Sequence, residues 1–154
     1  EPLAGQPLRI KWPNDVYAGD RKLSGVLIDR DTSQPHTYRI GIGINVNRTA
    51  FPAGLADTAT SLHLLTGAPH DRGALLLALS EHVDATVTAI CAGDLAERER
   101  LFGERMGLLG ERVEVQANET MRGRLTSINF ERLELDDQIE VPLAMVRSLR
   151  QAPE

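Results

Sequence analysis

Alternating apolar and polar residues open the chain. Residues 8–12 alternate as a β-strand does, and Pro13 ends the predicted strand because proline cannot donate a ladder hydrogen bond. A second strand restarts at residues 16–18, a Gly-Asp pair supplies a turn, and residues 22–28 have the apolar composition of a buried strand. The first 28 residues therefore predict short strands joined by tight turns.

Residues 38–46 carry the clearest alternation in the sequence. Four branched apolar residues of one parity oppose two glycines and an asparagine of the other, namely Ile40, Ile42, Ile44 and Val46 against Gly41, Gly43 and Asn45. We expect the branched face to lie on a core. Glycine inside a strand weakens the strand and often marks the close approach of a ligand, so the glycine face predicts a ligand surface. A packed helix or a neighbouring strand is the structural alternative.

After residue 60 the apolar residues recur every three or four positions, which is the spacing of helices. Residues 60–65 followed by Gly67 predict a short helix, and Asp71 is expected to cap a long helix that ends at Ala92. Apolar residues three or four apart form one stripe along that helix, namely Leu76, Leu79, Val83, Val87 and Ile90. The stripe indicates a structural helix.

A further helix is predicted to begin after Asp94 and to end at Met106. Glu97 stands three residues after Asp94, which is the spacing of a capping box, so we expect these two side chains to cap the first turn. This helix, too, is predicted to be structural.

After Gly107 the pattern becomes that of β-structure. Residues 112–115 alternate, and four more short runs follow at 123–128, 132–135, 139–141 and 146–149. Strands of this length and spacing predict a small antiparallel barrel. We therefore predict two domains, residues 1–107 and 108–154. The fold class is α+β, a mixed β-sheet with packed helices followed by a small barrel.

Composition narrows the classes of function. Apolar residues make up 42% and charged residues 25% of the chain, which is typical of a globular protein. A net charge of −5 provides no basic surface for nucleic acid, and no apolar run approaches the roughly 20 residues of a membrane span. We expect neither a nucleic-acid nor a membrane partner. The single cysteine, Cys91, excludes an internal disulfide framework and fits a reducing cytoplasm.

Charged and amide side chains gather around the first predicted turn. Lys11 precedes Pro13, and Asn14 with Asp15 falls at a strand end, where short polar side chains remain exposed. The hairpin that follows should return Lys22 towards Asn14 and Asp15. Two cations, an amide and a carboxylate at one end of a sheet suit an anionic ligand together with a divalent metal.

Three motifs give the chain a resemblance. KWPNDV at residues 11–16, RKLSGVLID at 21–29 and GIGINVN at 41–47 occur in the order and approximate spacing of the biotin protein ligases, the biotin–[acetyl-CoA-carboxylase] ligases. The resemblance implies a partial catalytic domain with a class II aminoacyl-tRNA-synthetase-like fold. It also implies that residues 108–154 form an SH3-like β-barrel.

The resemblance implies an ATP-dependent reaction. Biotin and ATP, with Mg²⁺, would give biotinyl-AMP, and the biotinyl group would pass to a lysine of a biotin carboxyl carrier domain. Lys22 would bridge the biotin carboxylate and the α-phosphate, and Lys11 would contact phosphate oxygens, since fixed cations are the main catalytic lever for such a step. Gly25, Gly41 and Gly43 would line the biotin site.

The resemblance assigns the nucleotide and metal side of the site as well. Asn45 carries the donor and acceptor that an adenine edge requires. Asn14 and Asp15 offer oxygen ligands for Mg²⁺, so Asp15 would also lie beside ATP. Arg150, near the C-terminus, matches an arginine that would reach back towards the nucleotide.

Biotin ligases also carry an arginine-rich loop of the Gly-Arg-Gly-Arg type before KWPND, and nothing like it precedes Lys11 here. We therefore expect this chain to be the second half of a ligase, inactive or nearly so by itself. A sheet without its preceding strands exposes an edge and apolar surface, which favours self-association or a homodimer.

Other functions remain open from the sequence. The chain could be a non-catalytic biotin- or nucleotide-binding module, an SH3-like interaction module, or a relative of the lipoate ligases. A metal site built on histidine is not expected. The four histidines, His36, His63, His70 and His82, lack ligand spacing and clustered acidic or cysteine partners.

Overall fold

The structure is a computed structural model that describes residues 2–30, 32–34 and 37–153. The chain divides into two compact units, Glu1–Leu75 and Leu76–Glu154, so the dividing point lies within the longest helix. The architecture is α+β, with two β-sheets and few helices. The domain boundary predicted between residues 107 and 108 stays a prediction.

A four-stranded sheet forms most of the first unit. Its strands are β1 (Leu8–Lys11), β2 (Asp15–Ala18), β3 (Arg21–Arg30) and β4 (Tyr38–Ile44), and a 3-10 turn at Pro2–Ala4 precedes them. The strands lie in the order β1-β2-β3-β4, and each pairs antiparallel with its neighbour. The predicted strands are confirmed. The predicted mixed sheet is found among the described residues only as one parallel bridge between Lys22 and Ala59.

The first strand ends one residue earlier than predicted. β1 stops at Lys11, and residues 12–14 form the turn that leads into β2. Pro13 gives the physical reason, because it cannot extend the ladder. The turn leaves Asn14 and Asp15 at the strand end, as the sequence predicts.

A short helix closes the core of the first unit. Helix α1 (Leu62–Thr66) begins at Ser61, whose Oγ accepts the Leu64 N–H at 3.1 Å, and ends at Gly67 in the left-handed region (φ 76°). The buried core consists of Ala4, Leu23 and Leu62, with Leu8, Val46, Leu65 and Leu75 packed against it. The short helix predicted at this place is confirmed.

The apolar halves of β3 and β4 are not buried in the described chain. Leu27 is 68%, Ile28 61% and Ile40 45% exposed, while Ile42 and Ile44 are half-buried. The predicted buried strand at residues 22–28 is therefore confirmed only around Leu23 and Ser24, and the predicted core under the isoleucine face includes Val46 but not Ile40. The reason is that the core gathers around Leu23, at the opposite end of β3.

Helix α2 (Arg72–Cys91) has no buried residue. The predicted apolar stripe exists, but Leu76 is 64% exposed, and Val87 and Ile90 are also exposed. By length and apolar composition α2 meets the criteria for a membrane-crossing helix, which is weak evidence and contrasts with the sequence-based expectation. Glu81 and Asp84 lie near its centre, where an ionised side chain costs about 2.5–3.5 kcal/mol in a bilayer.

Helix α3 (Ala96–Met106) begins without the predicted capping box. Leu95 is the N-cap and makes no side-chain capping bond. Instead, Asp94 lies 3.4 Å from the Arg98 guanidinium and Glu97 lies 2.6 Å from that of Arg100. Both carboxylates are therefore taken by arginines on the helix surface, and the prediction is wrong. The predicted end is confirmed, since Met106 is the last helical residue.

The second sheet has five antiparallel strands. They are β5 (Arg112–Gln116), β6 (Thr120–Ile128), β7 (Arg132–Leu135), β8 (Ile139–Pro142) and β9 (Ser148–Gln151), in the order β8-β7-β6-β5-β9. Its core contains five side chains with no exposed surface, namely Val113, Val115, Leu125, Leu133 and Leu135. The predicted short strands are confirmed, while their assignment to an SH3-like barrel stays a prediction.

Candidate functional site

Lys22 and Asp15 form an ion pair over β3. The Lys22 Nζ lies 2.6 Å from Asp15 Oδ1, and the two side chains are 43% and 22% exposed. Asp15 stands directly opposite Gly25 in the ladder between β2 and β3. A Cβ at Gly25 would lie 3.0 Å from Asp15 Oδ1 and 3.2 Å from Lys22 Nζ. The ion pair therefore occupies the space that a side chain at position 25 would take.

A β-bulge brings Lys22 onto this face of the sheet. Asp15 pairs with Gly25 and Val16 with Ser24, but Tyr17 pairs with Lys22, which leaves Leu23 as the extra residue. In a regular strand, residues 22 and 25 would point to opposite faces. The extra residue shifts the alternation by one, so that Lys22 and Gly25 lie on the same face of the sheet. Alternation alone would have placed the ammonium on the isoleucine face.

An open cleft of about 460 Å³ surrounds the ion pair. Its lining consists of Asn14, Asp15, Lys22, Gly25, Val26, Leu27, Gly41, Ile42 and Gly43. The predicted gathering of Lys22 with Asn14, Asp15 and the three glycines is thus observed. A Cβ at Gly41 or Gly43 would meet only a main-chain oxygen at 3.8 or 3.9 Å, so the fold itself does not require glycine there. The bare surface leaves room for a ligand.

Asn14 is held with a defined orientation. Its Nδ2 donates to the Val26 carbonyl at 2.6 Å, and its own carbonyl accepts the Val26 N–H at 2.8 Å. The side-chain oxygen therefore remains available beside Asp15. Among the described residues, no three His, Cys, Asp or Glu side chains cluster as a metal site.

Lys11 does not line the cleft. It stands opposite Asp15 in the ladder between β1 and β2, but its Nζ lies 3.3 Å from the Tyr17 hydroxyl and 4.8 Å above the Tyr17 ring. The predicted convergence of two lysines is therefore observed for Lys22 only. Attraction between an ammonium and the electron-rich ring face explains the position of Lys11.

Asn45 lines a second cleft, of about 310 Å³, in the same unit. Its neighbours there are Ile44, Val46, Asn47, Arg48 and Arg72. The prediction assigned the three glycines to biotin and Asn45 to the nucleotide, and the structure places the glycines and Asn45 in different clefts. These roles stay predictions. Sequence reasoning missed Arg48 and Arg72 as residues of this cleft. Arg48 directly follows GIGINVN and could have been found from that position, whereas no motif adjoins Arg72.

Arg150 belongs to the second unit and is bonded within the sheet. Its guanidinium donates to Glu114, with Nε 3.0 Å from Oε1, and Arg122 Nη2 lies 2.6 Å from the other carboxylate oxygen. Glu114 is buried. The hydrogen bonds from Arg150, and then those from Arg122, hold the pKa of Glu114 below its ordinary value. The predicted nucleotide contact of Arg150 stays a prediction.

The histidines form no site in the part of the chain that the structure describes. His70 Nε2 lies 2.9 Å from the Thr66 hydroxyl, and His82 Nδ1 lies 2.7 Å from the Ala78 carbonyl. His63 is the residue whose carbonyl accepts the N–H that ends α1. His36 lies outside the described residues.

Comparison with known proteins shows similarity to one class of proteins over part of the chain. A family model described as the biotin/lipoate A/B protein ligase family matches residues 3–47, which contain every residue of the first cleft. Over 80 residues the chain is 39% identical to a bifunctional ligase/repressor BirA of Bacillus spizizenii, covering 49% of this chain and 25% of that protein. It is 37% identical over 78 residues to a biotin–[acetyl-CoA-carboxylase] ligase of Mycobacterium tuberculosis, covering 51% and 27%.

The chain is also similar to solved structures of biotin protein ligases. A biotin protein ligase from Aquifex aeolicus, in complex with biotin and ATP, matches with a TM-score of 0.82 and 28% identity. The match covers 99% of this chain and 66% of that chain. An apo structure of an Aquifex aeolicus ligase gives a TM-score of 0.79. The chain is thus similar to the biotin protein ligases; its matches span about two thirds of the length of the solved structure and about a quarter of the length of the curated relatives.

Proposed function

We propose that the chain takes part in ATP-dependent ligation of biotin to protein. The observation that carries this proposal is the contact between Lys22 Nζ and Asp15, 2.6 Å apart, in a cleft that three glycines also line. A fixed ammonium beside bare backbone suits a ligand that presents an anionic group and a flat ring system. The Aquifex aeolicus ligase with biotin and ATP supports the choice of ligand.

In the first step, a biotin carboxylate oxygen forms a bond to the α-phosphorus of ATP. The bond between that phosphorus and the bridging oxygen to the β-phosphate breaks, and pyrophosphate leaves with the electron pair. Both reacting groups are anions, so a cation between them lowers the barrier. Lys22 is the residue that supplies this charge, and Lys11 supports the leaving phosphates.

Gly25, Gly41 and Gly43 form the biotin side of the site. Their bare backbone permits close approach of the ligand. Asn45, in the adjoining cleft, receives the adenine edge, so that one adenylate spans both clefts. Arg150 is assigned to the nucleotide by resemblance only.

The donor set at the turn fits a magnesium ion that arrives with the nucleotide. Mg²⁺ is usually bound by one or two carboxylates together with substrate phosphates. Asn14 Oδ1 and the Asp15 carboxylate provide two such oxygens, although Lys22 already engages Asp15 Oδ1. When bound, the metal would neutralise phosphate charge. The protein groups orient it, and they do not form a complete metal site by themselves.

In the second step, the amine of a carrier-domain lysine attacks the acyl carbon of biotinyl-AMP. The bond from that carbon to the phosphate oxygen breaks, an amide forms and AMP leaves. A biotin carboxyl carrier domain is therefore the expected macromolecular partner, and the cytoplasm the expected compartment. Because the chain spans only part of its relatives, we assign it a share of the active site and not the complete activity.

The second unit is proposed to contain an SH3-like barrel that begins near residue 108. Five short antiparallel strands with a core of fully buried valine and leucine side chains support this assignment. The exposed residues of β3 and β4 support self-association of the first unit, including a homodimer.

Calorimetric titration with biotin tests the proposed function. We expect the chain to bind biotin, and Lys22→Ala to weaken binding about tenfold, which corresponds to ~1.4 kcal/mol. Lys11→Ala is the matched control, because Lys11 lies on the same face but does not line the cleft. Its biotin affinity should equal that of the parent. Equal losses in the two variants, or binding of lipoate in place of biotin, would refute the assignment.

A further inference from the structure

The main chain that leads into α1 is bonded to residues of both clefts. Residues 58–63, called the positioning segment below, lie between Lys22 and the end of β4. The Lys22 N–H donates to the Thr58 carbonyl at 2.8 Å, and the Thr60 N–H donates to the Lys22 carbonyl at 2.9 Å. Both main-chain polar groups of Lys22 are thus bonded to this segment.

The other end of the positioning segment holds the residues of the second cleft. The Leu62 N–H donates to the Asn45 carbonyl at 3.0 Å, and the His63 N–H donates to the Val46 carbonyl at 2.9 Å. The Ser61 hydroxyl donates to the Arg48 carbonyl at 2.5 Å. Asn45 in turn donates its N–H to Leu23 at 3.0 Å, beside Lys22.

The segment is rigid by burial as well as by bonding. Thr60 and Ser61 have no exposed surface, and Ala59 and Leu62 are also buried. Buried main-chain hydrogen bonds are expensive to break, because each released group loses its partner without gaining water. The main chains of Lys22 and Asn45 are therefore both bonded to this largely buried segment before any ligand binds.

We propose that residues 58–63 are a positioning segment that holds Lys22 and Asn45 at the separation which one biotinyl-adenylate needs. This proposal rests on the proposed function. A biotinyl-adenylate would place its biotinyl half in one cleft and its adenylate half in the other. The covalent link between the halves raises the affinity only when the distance between the two clefts matches the length of the ligand. None of residues 58–63 lines either cleft, so these residues would act through Lys22 and Asn45.

Ser61 and Thr60 give a matched pair of variants. Ser61→Ala removes the bond to Arg48 and the cap of α1 in one change. The Thr60 hydroxyl is equally buried, but it has no hydrogen-bond partner within the described residues. Thr60→Val therefore removes a hydroxyl from the same place without breaking a bond of the segment.

The test compares three ligands by calorimetry on the full chain, namely biotin, AMP and a non-hydrolysable biotinyl-adenylate analogue. We expect Ser61→Ala to weaken the analogue about tenfold and to change biotin and AMP less than about twofold, since only the analogue depends on the separation. Thr60→Val should match the parent for all three ligands. An equal loss for all three ligands in Ser61→Ala, or no loss for the analogue, overturns the proposal.

Hydrogen exchange on the unsubstituted chain gives a second test that does not depend on the folding of a variant. The Lys22 and Thr60 amides should be protected, and the analogue should slow their exchange further while biotin alone does not. Exchange at the rate of an unstructured peptide overturns the proposal. A parent that binds biotin through Lys22 but fails these tests refutes the positioning segment alone, whereas a parent that binds no biotin refutes the proposed function as well.

Discussion

Asp15 stands directly opposite Gly25, and the missing side chain of Gly25 is the space in which Asp15 meets Lys22. The ion pair and the glycine are therefore one structural unit. Each depends on the other, because a Cβ at position 25 would come within 3.0 Å of the carboxylate and 3.2 Å of the ammonium.

Gly25→Ala should keep the fold and weaken biotin binding. The atoms that the new Cβ meets are the ends of flexible side chains, so they can move by a few tenths of an ångström, and the stability loss should stay below about 1 kcal/mol. The displaced ammonium should cost about tenfold in biotin affinity, measured by calorimetry. Gly54→Ala, where a Cβ would meet nothing within 4 Å, is the control. Unchanged affinity in Gly25→Ala would contradict the proposed biotin site.

Asp15→Asn should test two roles of the Asp15 carboxylate, as the ion-pair partner of Lys22 and as a ligand of Mg²⁺. Lys22 would lose its anionic partner, so a biotin carboxylate would meet less competition and bind a few-fold more tightly. The dependence of ATP binding on Mg²⁺ should fall, because a carboxylate ligand is lost. Titrations with and without Mg²⁺ measure both effects. Asp20→Asn serves as the control, since Asp20 pairs with Arg9 at 3.0 Å and is fully exposed. A Mg²⁺ dependence that survives in Asp15→Asn would argue against the metal assignment.

Glu114 should make the second unit sensitive to acid. Its pKa in the folded chain is lowered by Arg150 and Arg122, so its stabilising contribution is complete above the ordinary value of 4.5. That contribution is lost as the pH falls through the lower folded value. Differential scanning calorimetry should find Glu114→Gln less stable than the parent at pH about 7, with the difference narrowing below pH about 4.

Glu140→Gln is the control for the acid experiment. Glu140 pairs with Arg132 at 3.5 Å, and both side chains are about half exposed, so the pair contributes little. The stability difference between Glu114→Gln and the parent should narrow in acid. A difference that widens as the pH falls would contradict a lowered pKa of Glu114.

Ile40→Asp should reduce self-association of the chain. Ile40 is 45% exposed and stands opposite Ile28, which is 61% exposed, on the uncovered face of β3 and β4. A carboxylate there opposes burial against a second apolar surface, while the fold loses little because the position is not in the core. Sedimentation velocity of the variant and of Asp20→Asn at several concentrations measures the effect. Identical association in both variants would exclude this face.

Much of the fold follows from local pattern. Strand alternation, Pro13 and the glycine that ends each of α1 and α3 locate most elements to within a few residues, because backbone period and chain reversal are set by neighbouring residues. The failed capping box at Asp94 shows the limit of this reasoning. Arginines one turn away take the two carboxylates, and spacing alone cannot rank such competing partners.

The sequence by itself determined the chemistry of the first cleft, since Lys22, Asp15 and the three glycines are recognisable as a set. Only the tertiary structure decided how they meet. One extra residue in β3 turns Lys22 onto the glycine face, and main-chain bonds join residues 58–63 to both Lys22 and Asn45. The physical reason is that a bulge arises from how two strands pair, and the alternation along one strand does not reveal that pairing.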